Sequence, residues 1–339
     1  MHQVLLRVPI PGTDRVLTLF GYGLAMCLGF LAAIVLAAWR ARREGQPTDV
    51  IHNAALAAFF GGVLGARAFF VVQYSQHAPS LWDLLAIWEG GLTFYGGFIV
   101  ATLAVIVYLK AARRPLLYWL DVIAPSVALG LAFGRVGCVL NGCCYGDVCR
   151  HGWGMTWPAA SIPWEHYADV HLAALGIGPN AGGAAASALA GALVAGWHMP
   201  AIHPAQIYAI VNALLLALVL HCMWRWKRQH GQVILALAVL YGASRFLLEM
   251  LRADEAEAYL FGLPTLLASV GLGDAAARLP ALTISQNVAV AMVVGGGLAL
   301  GWLRRSRNPT LQADYVPPPD PGDARPRPAR GKRRKDRRP

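Results

Sequence analysis

The chain has 339 residues, of which 57% are hydrophobic and only 14% charged. A soluble domain averages about 25% charged residues, so this composition excludes an ordinary soluble protein. The mean hydropathy is +0.48 and the formal net charge +11, and that positive charge is unevenly spread.

Seven windows are apolar over about the 20 residues needed to cross a bilayer core. They are 16–38, 52–74, 91–109, 120–142, 205–223, 231–250 and 286–303. The expected fold is therefore an all-α polytopic membrane protein of about seven transmembrane helices. A further apolar stretch, Gly183–Trp197, is short and made almost wholly of Ala and Gly. Charge decides how it is read. Arg40, Arg42 and Arg43 follow the first span, Lys110, Arg113 and Arg114 the third, and Arg225, Lys227 and Arg228 the fifth. Twelve more basic residues, from Arg304 to Arg338, follow the seventh. Lys and Arg concentrate in cytoplasmic loops. The bias predicts an N-terminus outside and a C-terminus in the cytoplasm, and it keeps its pattern only if 183–197 does not span.

The first span contains Gly21-Tyr22-Gly23 and carries Cys27, read as a buried apolar side chain. The Met1–Pro9 start lacks the pattern of a cleaved signal. The second span contains Gly61-Gly62-Val63-Leu64-Gly65-Ala66-Arg67. Its glycines, three or four residues apart, line one face and allow close helix contact. Arg67 is followed by more apolar chain, which points to a cavity role over a surface one. Before the third span runs Trp88-Glu89-Gly90-Gly91-Leu92-Thr93-Phe94-Tyr95-Gly96-Gly97. The glycine pairs predict a turn or helix start where backbone lies close to another group. Tyr95 reads either as an interfacial anchor or as a head-group contact.

The fourth span begins at Asp121, read as a helix cap, and closes on Gly134-Arg135-Val136-Gly137-Cys138-Val139-Leu140-Asn141-Gly142-Cys143-Cys144-Tyr145-Gly146. An ionisable group at a membrane helix end is a functional candidate by default. Arginine is permanently charged and its planar donor fork suits phosphate. At this depth the available phosphate is that of a phospholipid. Cys138, Cys143, Cys144 and Cys149 admit a metal site, a disulfide, with Cys149 the leading participant, or simple packing. Their spacing is not the usual pair-and-pair pattern, and adjacent cysteines do not readily aim at one ion. The reading therefore assigns no metal and no cofactor.

His203-Pro204-Ala205-Gln206-Ile207-Tyr208 opens the fifth span, with proline suited to a helix start. His203 is a candidate base. The sixth span ends Tyr241-Gly242-Ala243-Ser244-Arg245-Phe246-Leu247-Leu248-Glu249. Arg245 and Glu249 are four apart and can pair along one helix face. Ser285-Gln286-Asn287 starts the seventh span on the same side. From Asn308 the chain is rich in Pro, Arg and Asp, too polar to form a core. The tail 308–339 is read as a disordered cytoplasmic extension touching anionic lipids, not nucleic acid.

Taken together and in order, these motifs resemble the prolipoprotein diacylglyceryl transferases of bacterial inner membranes. The resemblance spans roughly 15–305. It implies a transmembrane catalytic domain over 1–307, with 151–202 as a variable periplasmic region. It implies transfer of the diacylglyceryl unit of phosphatidylglycerol to the lipobox cysteine of a prolipoprotein signal peptide. A thioether forms and glycerol phosphate is released, at the periplasmic side. In such an enzyme Arg135 and Arg245 clamp phosphate, Glu249 holds Arg245, and Asn141 bonds the head group. Arg67 organises the cavity, and Tyr22, Gln206 and Gly146 are further substrate contacts. Many members carry histidine where this chain has Tyr95, asparagine at Cys138 and glutamate at Cys143. Tyr95 therefore occupies a catalytic position but is a weak base near neutrality, so His203 is the replacement candidate. The alternatives are a small-solute transporter, which would carry an internal repeat, and another phospholipid head-group transferase.

Overall fold

The computed structural model describes residues 4–9, 16–74, 91, 93–159, 161–175, 191, 196–252 and 282–306. Within these, seven helices are long and apolar enough to cross a membrane. They are α1 (Gly21–Arg43), α2 (Asp49–Tyr74), α3 (Phe94–Ala111), α4 (Leu116–Asn141), α6 (Ala205–Trp226), α7 (Gln232–Glu249) and α8 (Ile284–Arg305). The shorter α5 (Ile162–Ala174) lies between α4 and α6. Leu31, Val35, Phe60, Leu64, Leu215, Leu218 and Leu298 point outward along these helices. Such patches would be a liability in water and are ordinary where lipid covers them. The chain is a multi-pass membrane protein.

The first span starts later than hydropathy suggests. Val16–Phe20 is strand β2, antiparallel to β1 (Val4–Pro9), and α1 begins at Gly21. Alternating Val, Leu, Thr and Leu is as apolar as a helix start, so windowed hydropathy merges the two. Cys27 is exposed on α1, not buried, so its apolar surroundings are those outside the helix. Glu89 and Gly90, most of Gly183–Trp197 and the tail 308–339 lie outside the described residues.

The contacts separate two compact units. One holds residues 36–119. In it α2 packs on α3 through small residues: a Cβ on Gly65 would strike Val100 and the Gly96 carbonyl, and one on Gly96 would strike Phe69. That backbone approach is what the glycine spacing predicted. Thr93 ties the start of α3 to α2, its N–H and its hydroxyl both donating to the Ala66 carbonyl at 3.1 Å.

The other unit holds residues 1–35 and 120–311. Here α7 packs on α6 and α8. Asp121 is a cap, but for α7 and not for its own helix. Its carboxylate accepts from the N–H groups of Gly231 at 2.8 Å, Val233 at 3.0 Å and Ile234 at 2.9 Å. The orphan amides of a helix N-terminus are thereby satisfied by a residue more than 100 positions upstream. The chain then leaves α4 and returns to the same end at α6. The Gly146 N–H donates to the His203 carbonyl at 3.1 Å, and the His203 N–H donates to Asp147 O at 2.9 Å.

Candidate active site

Alternation of the spans brings the polar ends together. The end of α4, the start of α6, the end of α7 and the start of α8 all meet within one compact unit. Glu249, the last residue of α7, is the hub. Its Oε2 accepts from Arg245 at 2.6 Å and lies 3.6 Å from the Arg252 guanidinium. Its Oε1 accepts from the Thr283 hydroxyl at 3.3 Å. The Glu249 side chain is 2% exposed, those of Arg245 and Arg252 15% and 10%. Arg245 also donates to Ser285 Oγ at 3.1 Å. Thr283 and Gln286 form a reciprocal capping box that fixes the start of α8. Two arginines therefore share one carboxylate, and the cluster keeps a net positive charge.

Arg135 belongs to the same place. It lines a cavity of about 30 Å³ with Arg245, Arg252, Cys144, Asn212 and Tyr241. That free space is on the scale of one water molecule, so a phosphate enters only as lining side chains move. Arg135 lies close enough to Cys138, Cys144, Tyr241 and Arg252 to feel their charge. Asn212 donates to Ser244 Oγ at 3.0 Å, stiffening the α6–α7 wall.

The loop after α4 is pinned from three directions. Gln206 Nε2 donates to the Cys143 carbonyl at 2.9 Å, while its buried Oε1 has no partner among the described residues. Gly146 admits no side chain: a Cβ there would lie 2.6 Å from the His203 carbonyl and 2.8 Å from that of Leu251. The Tyr167 hydroxyl of α5 lies 3.3 Å from both the Gly146 carbonyl and Asp147 Oδ1. Burial, with the Asp147 carboxylate beside it, pushes the Tyr167 phenol above the usual tyrosine range. Around it Tyr145, Tyr167, Met199 and Ile202 form a buried cluster joined by Trp157, Trp164 and Trp197. Trp157, Trp164 and Tyr167 of α5 and its approach, with Trp197, Met199 and Ile202, are thus packed directly on the site loop. His203 Nδ1 lies 3.4 Å from the Tyr208 hydroxyl.

The cysteines fall into two groups. Cys149 is buried, its thiol 3.5 Å from the His151 carbonyl, and stands apart. The sulfurs of Cys138, Cys143 and Cys144 lie within 4.8 Å of one another. The thiols of Cys138 and Cys144, and the Asn141 amide, donate toward Cys143 and hold its thiol below the usual range. All six cysteines are free.

The structure thus joins Arg135, Asn141, Gly146, His203, Gln206, Arg245 and Glu249 in one unit. Tyr22 is there too, its ring packed over Gly137. Arg67 and Tyr95 stand in the unit of residues 36–119. Arg67 is 4% exposed, with its guanidinium 5.7 Å from the Phe70 ring centre. That is cation–π distance, so it does not reach for the surface. Tyr95 is half exposed on α3, edge-on to Phe94. Sequence reasoning missed Arg252 and Thr283 as partners of Glu249. The signal for Arg252 was its i+3 spacing; for Thr283 there was none, because the contact crosses 34 residues.

Residues 15–302 match the family model described as prolipoprotein diacylglyceryl transferase. Among similar curated proteins, the phosphatidylglycerol–prolipoprotein diacylglyceryl transferase of Rhodopirellula baltica is 42% identical over 45% of this chain and 34% of its own. That of Clostridium tetani is 29% identical over 70% of this chain and 82% of its own. That of Burkholderia cenocepacia is 30% identical over 84% and 90%. With most of its length matched by one family model, and with the motif-bearing ends of its spans gathered as described, the chain belongs to the prolipoprotein diacylglyceryl transferase family.

Proposed function

We propose that the Arg135–Arg245–Glu249 cluster is the anion-handling centre of a diacylglyceryl transfer reaction. The enzyme moves the diacylglyceryl group of phosphatidylglycerol to the cysteine thiol of a prolipoprotein. The acceptor sulfur attacks the diacylglyceryl carbon bonded to the phosphate oxygen. That carbon–oxygen bond breaks, its electron pair stays on the phosphate, and glycerol phosphate leaves as the thioether forms. The thiol proton goes to a base.

Charge builds on the leaving phosphate, so preorganised cationic donors lower the barrier. Arg135 and Arg245 face one cavity, and that shared cavity is the observation carrying this reading. Glu249 holds Arg245 in place by its short ion pair. Gln206 has a buried oxygen open to a donor such as a glycerol hydroxyl. Asn141 and Tyr22 flank the cysteine-bearing loop as head-group contacts, and Gly146 lets that loop lie against His203. His203 is the proton acceptor, its imidazole offering a ring nitrogen beside the site loop. Arg67, buried on α2, organises the lipid, and Tyr95 on α3 contacts a head group.

The enzyme sits in the bacterial inner membrane with its N-terminus and this cluster on the periplasmic side and its C-terminus in the cytoplasm. The Lys and Arg distribution supports that orientation. It places the lipobox cysteine of an exported precursor on the cluster's side. The basic tail then meets anionic lipid on the other face.

The test supplies purified chain, in phosphatidylglycerol-containing micelles, with a lipobox peptide. A diacylglyceryl mass increase on the peptide cysteine is expected. Arg135→Gln and Arg245→Gln should each lower transfer by about 10²–10³-fold with unchanged circular dichroism. Full activity in both variants would remove the phosphate-clamp role, and no adduct with wild-type chain would remove the reaction.

A further inference from the structure

Three cysteines at the end of α4 present their sulfurs to one point, and none of the roles above uses them. We infer that Cys138, Cys143 and Cys144 form a binding site for a thiophilic d10 cation of the zinc class, held by three thiolates beside Arg135. The inference is independent of the transferase chemistry.

The backbone shows how adjacent cysteines share one target. Sequence reasoning set a metal aside because neighbouring side chains diverge. Here Gly142 has φ +83° and Cys144 has φ +61°. Two left-handed residues flank Cys143 and fold the loop back on the last turn of α4, returning both sulfurs toward Cys138. Glycine adopts that conformation freely. A cysteine does not; such a residue costs of order 1–3 kcal/mol and persists only where its surroundings demand it. The strained residue is itself one of the three converging donors.

The donor set selects the ion. Thiolates favour soft cations such as zinc or copper(I) over magnesium or calcium. Zinc–sulfur bonds are about 2.3 Å, so sulfurs sharing one zinc sit roughly 3.8 Å apart. The observed separations are within 4.8 Å. Closure to bonding distance takes about half an ångström per sulfur. A disulfide would use two of the three sulfurs and leave the third idle.

The electrostatics agree. Three thiolates around a divalent ion leave one net negative charge, next to a guanidinium that feels Cys138 and Cys144. Each thiol releases its proton to solvent on binding. Cys138 is buried and Cys143 and Cys144 are half-buried, so the ion enters from the loop side. Three protein ligands leave a fourth position for water. A bound ion would lock the loop whose Cys143 carbonyl takes the Gln206 bond.

The experiment uses full-length chain in detergent micelles, reduced and handled without oxygen. Zn2+ is titrated against a chromophoric chelator, and Cd2+ is added separately as an ultraviolet probe of thiolate ligation. One Zn2+ per chain, a thiolate-to-cadmium band, and protection of Cys138, Cys143 and Cys144 alone from alkylation are expected. Cys138→Ser, Cys143→Ser and Cys144→Ser should each weaken Zn2+ binding at least about 100-fold. A chain lacking Cys27, Cys149 and Cys222 should bind as wild type does. Failure of reduced wild-type chain to bind one ion would overturn the site. So would alkylation protection falling on other cysteines, a readout that needs no variant to fold. Binding that survives all three substitutions would do the same.

Discussion

At the residue scale, Glu249 decides the charge balance of the site. One nearly inaccessible carboxylate serves two guanidiniums and the Thr283 hydroxyl. Removing one member of a buried ionic group leaves the others uncompensated, at a cost of about 3–5 kcal/mol. Glu249→Gln should therefore lower the thermal midpoint in micelles and abolish transfer together, whereas Ser285→Ala, which removes one accepting hydroxyl, should change the midpoint far less. Tyr167 makes a pH-dependent contribution. Its folded pKa lies above that of the unfolded chain because burial and Asp147 oppose the phenolate. The neutral phenol stabilises the fold fully below about pH 10, the ordinary tyrosine value, and that stabilisation is lost as pH rises through the higher folded value. Thermal unfolding measured from pH 9 to 11 should show an alkaline decline in wild type that is shallower in Tyr167→Phe.

At the scale of elements, two devices set the geometry of the unit that carries the site. Asp121 on α4 caps the start of α7, and the reciprocal box of Thr283 and Gln286 caps α8. The Asp121 carboxylate is fully buried and Lys227 Nζ lies 3.9 Å away. Asp121→Ala removes the acceptor of three amides, so a loss of about 2 kcal/mol follows from the capping term alone. The measurement is the shift of the denaturation midpoint. Transfer activity at low temperature should survive, because the cap sits at the end of α7 opposite Glu249. Loss of activity with an unshifted midpoint would show that Asp121 acts in the chemistry instead.

At the scale of the whole molecule, the alternation of seven spans explains why one end collects the chemistry. The ends of α4 and α7 and the starts of α6 and α8 coincide, and the loop carrying α5 leaves and returns on that side. The proposed orientation, argued from the bias of Lys and Arg, puts this side outside. A reporter active only in the cytoplasm should work when fused after Pro339. One active only outside should work when inserted in the 151–159 segment. The reverse pattern would invert the proposed orientation.

The seven spans, the helix-end arginines and the family resemblance were legible in the sequence, because hydropathy, charge bias and short motifs are local properties. The strand Val16–Phe20 was not, since an apolar alternation beside an apolar helix carries no boundary in a hydropathy window. Nor was the target of Asp121, whose partners lie more than 100 residues away. The sequence by itself determined which residues are polar at membrane depth and in what order they come. Only the tertiary structure decided that Glu249 binds Arg252 and Thr283 as well as Arg245, that Cys138, Cys143 and Cys144 converge, and that Cys149 stands apart. Those outcomes depend on left-handed turns and long-range packing, which set directions for side chains that spacing along the chain leaves open.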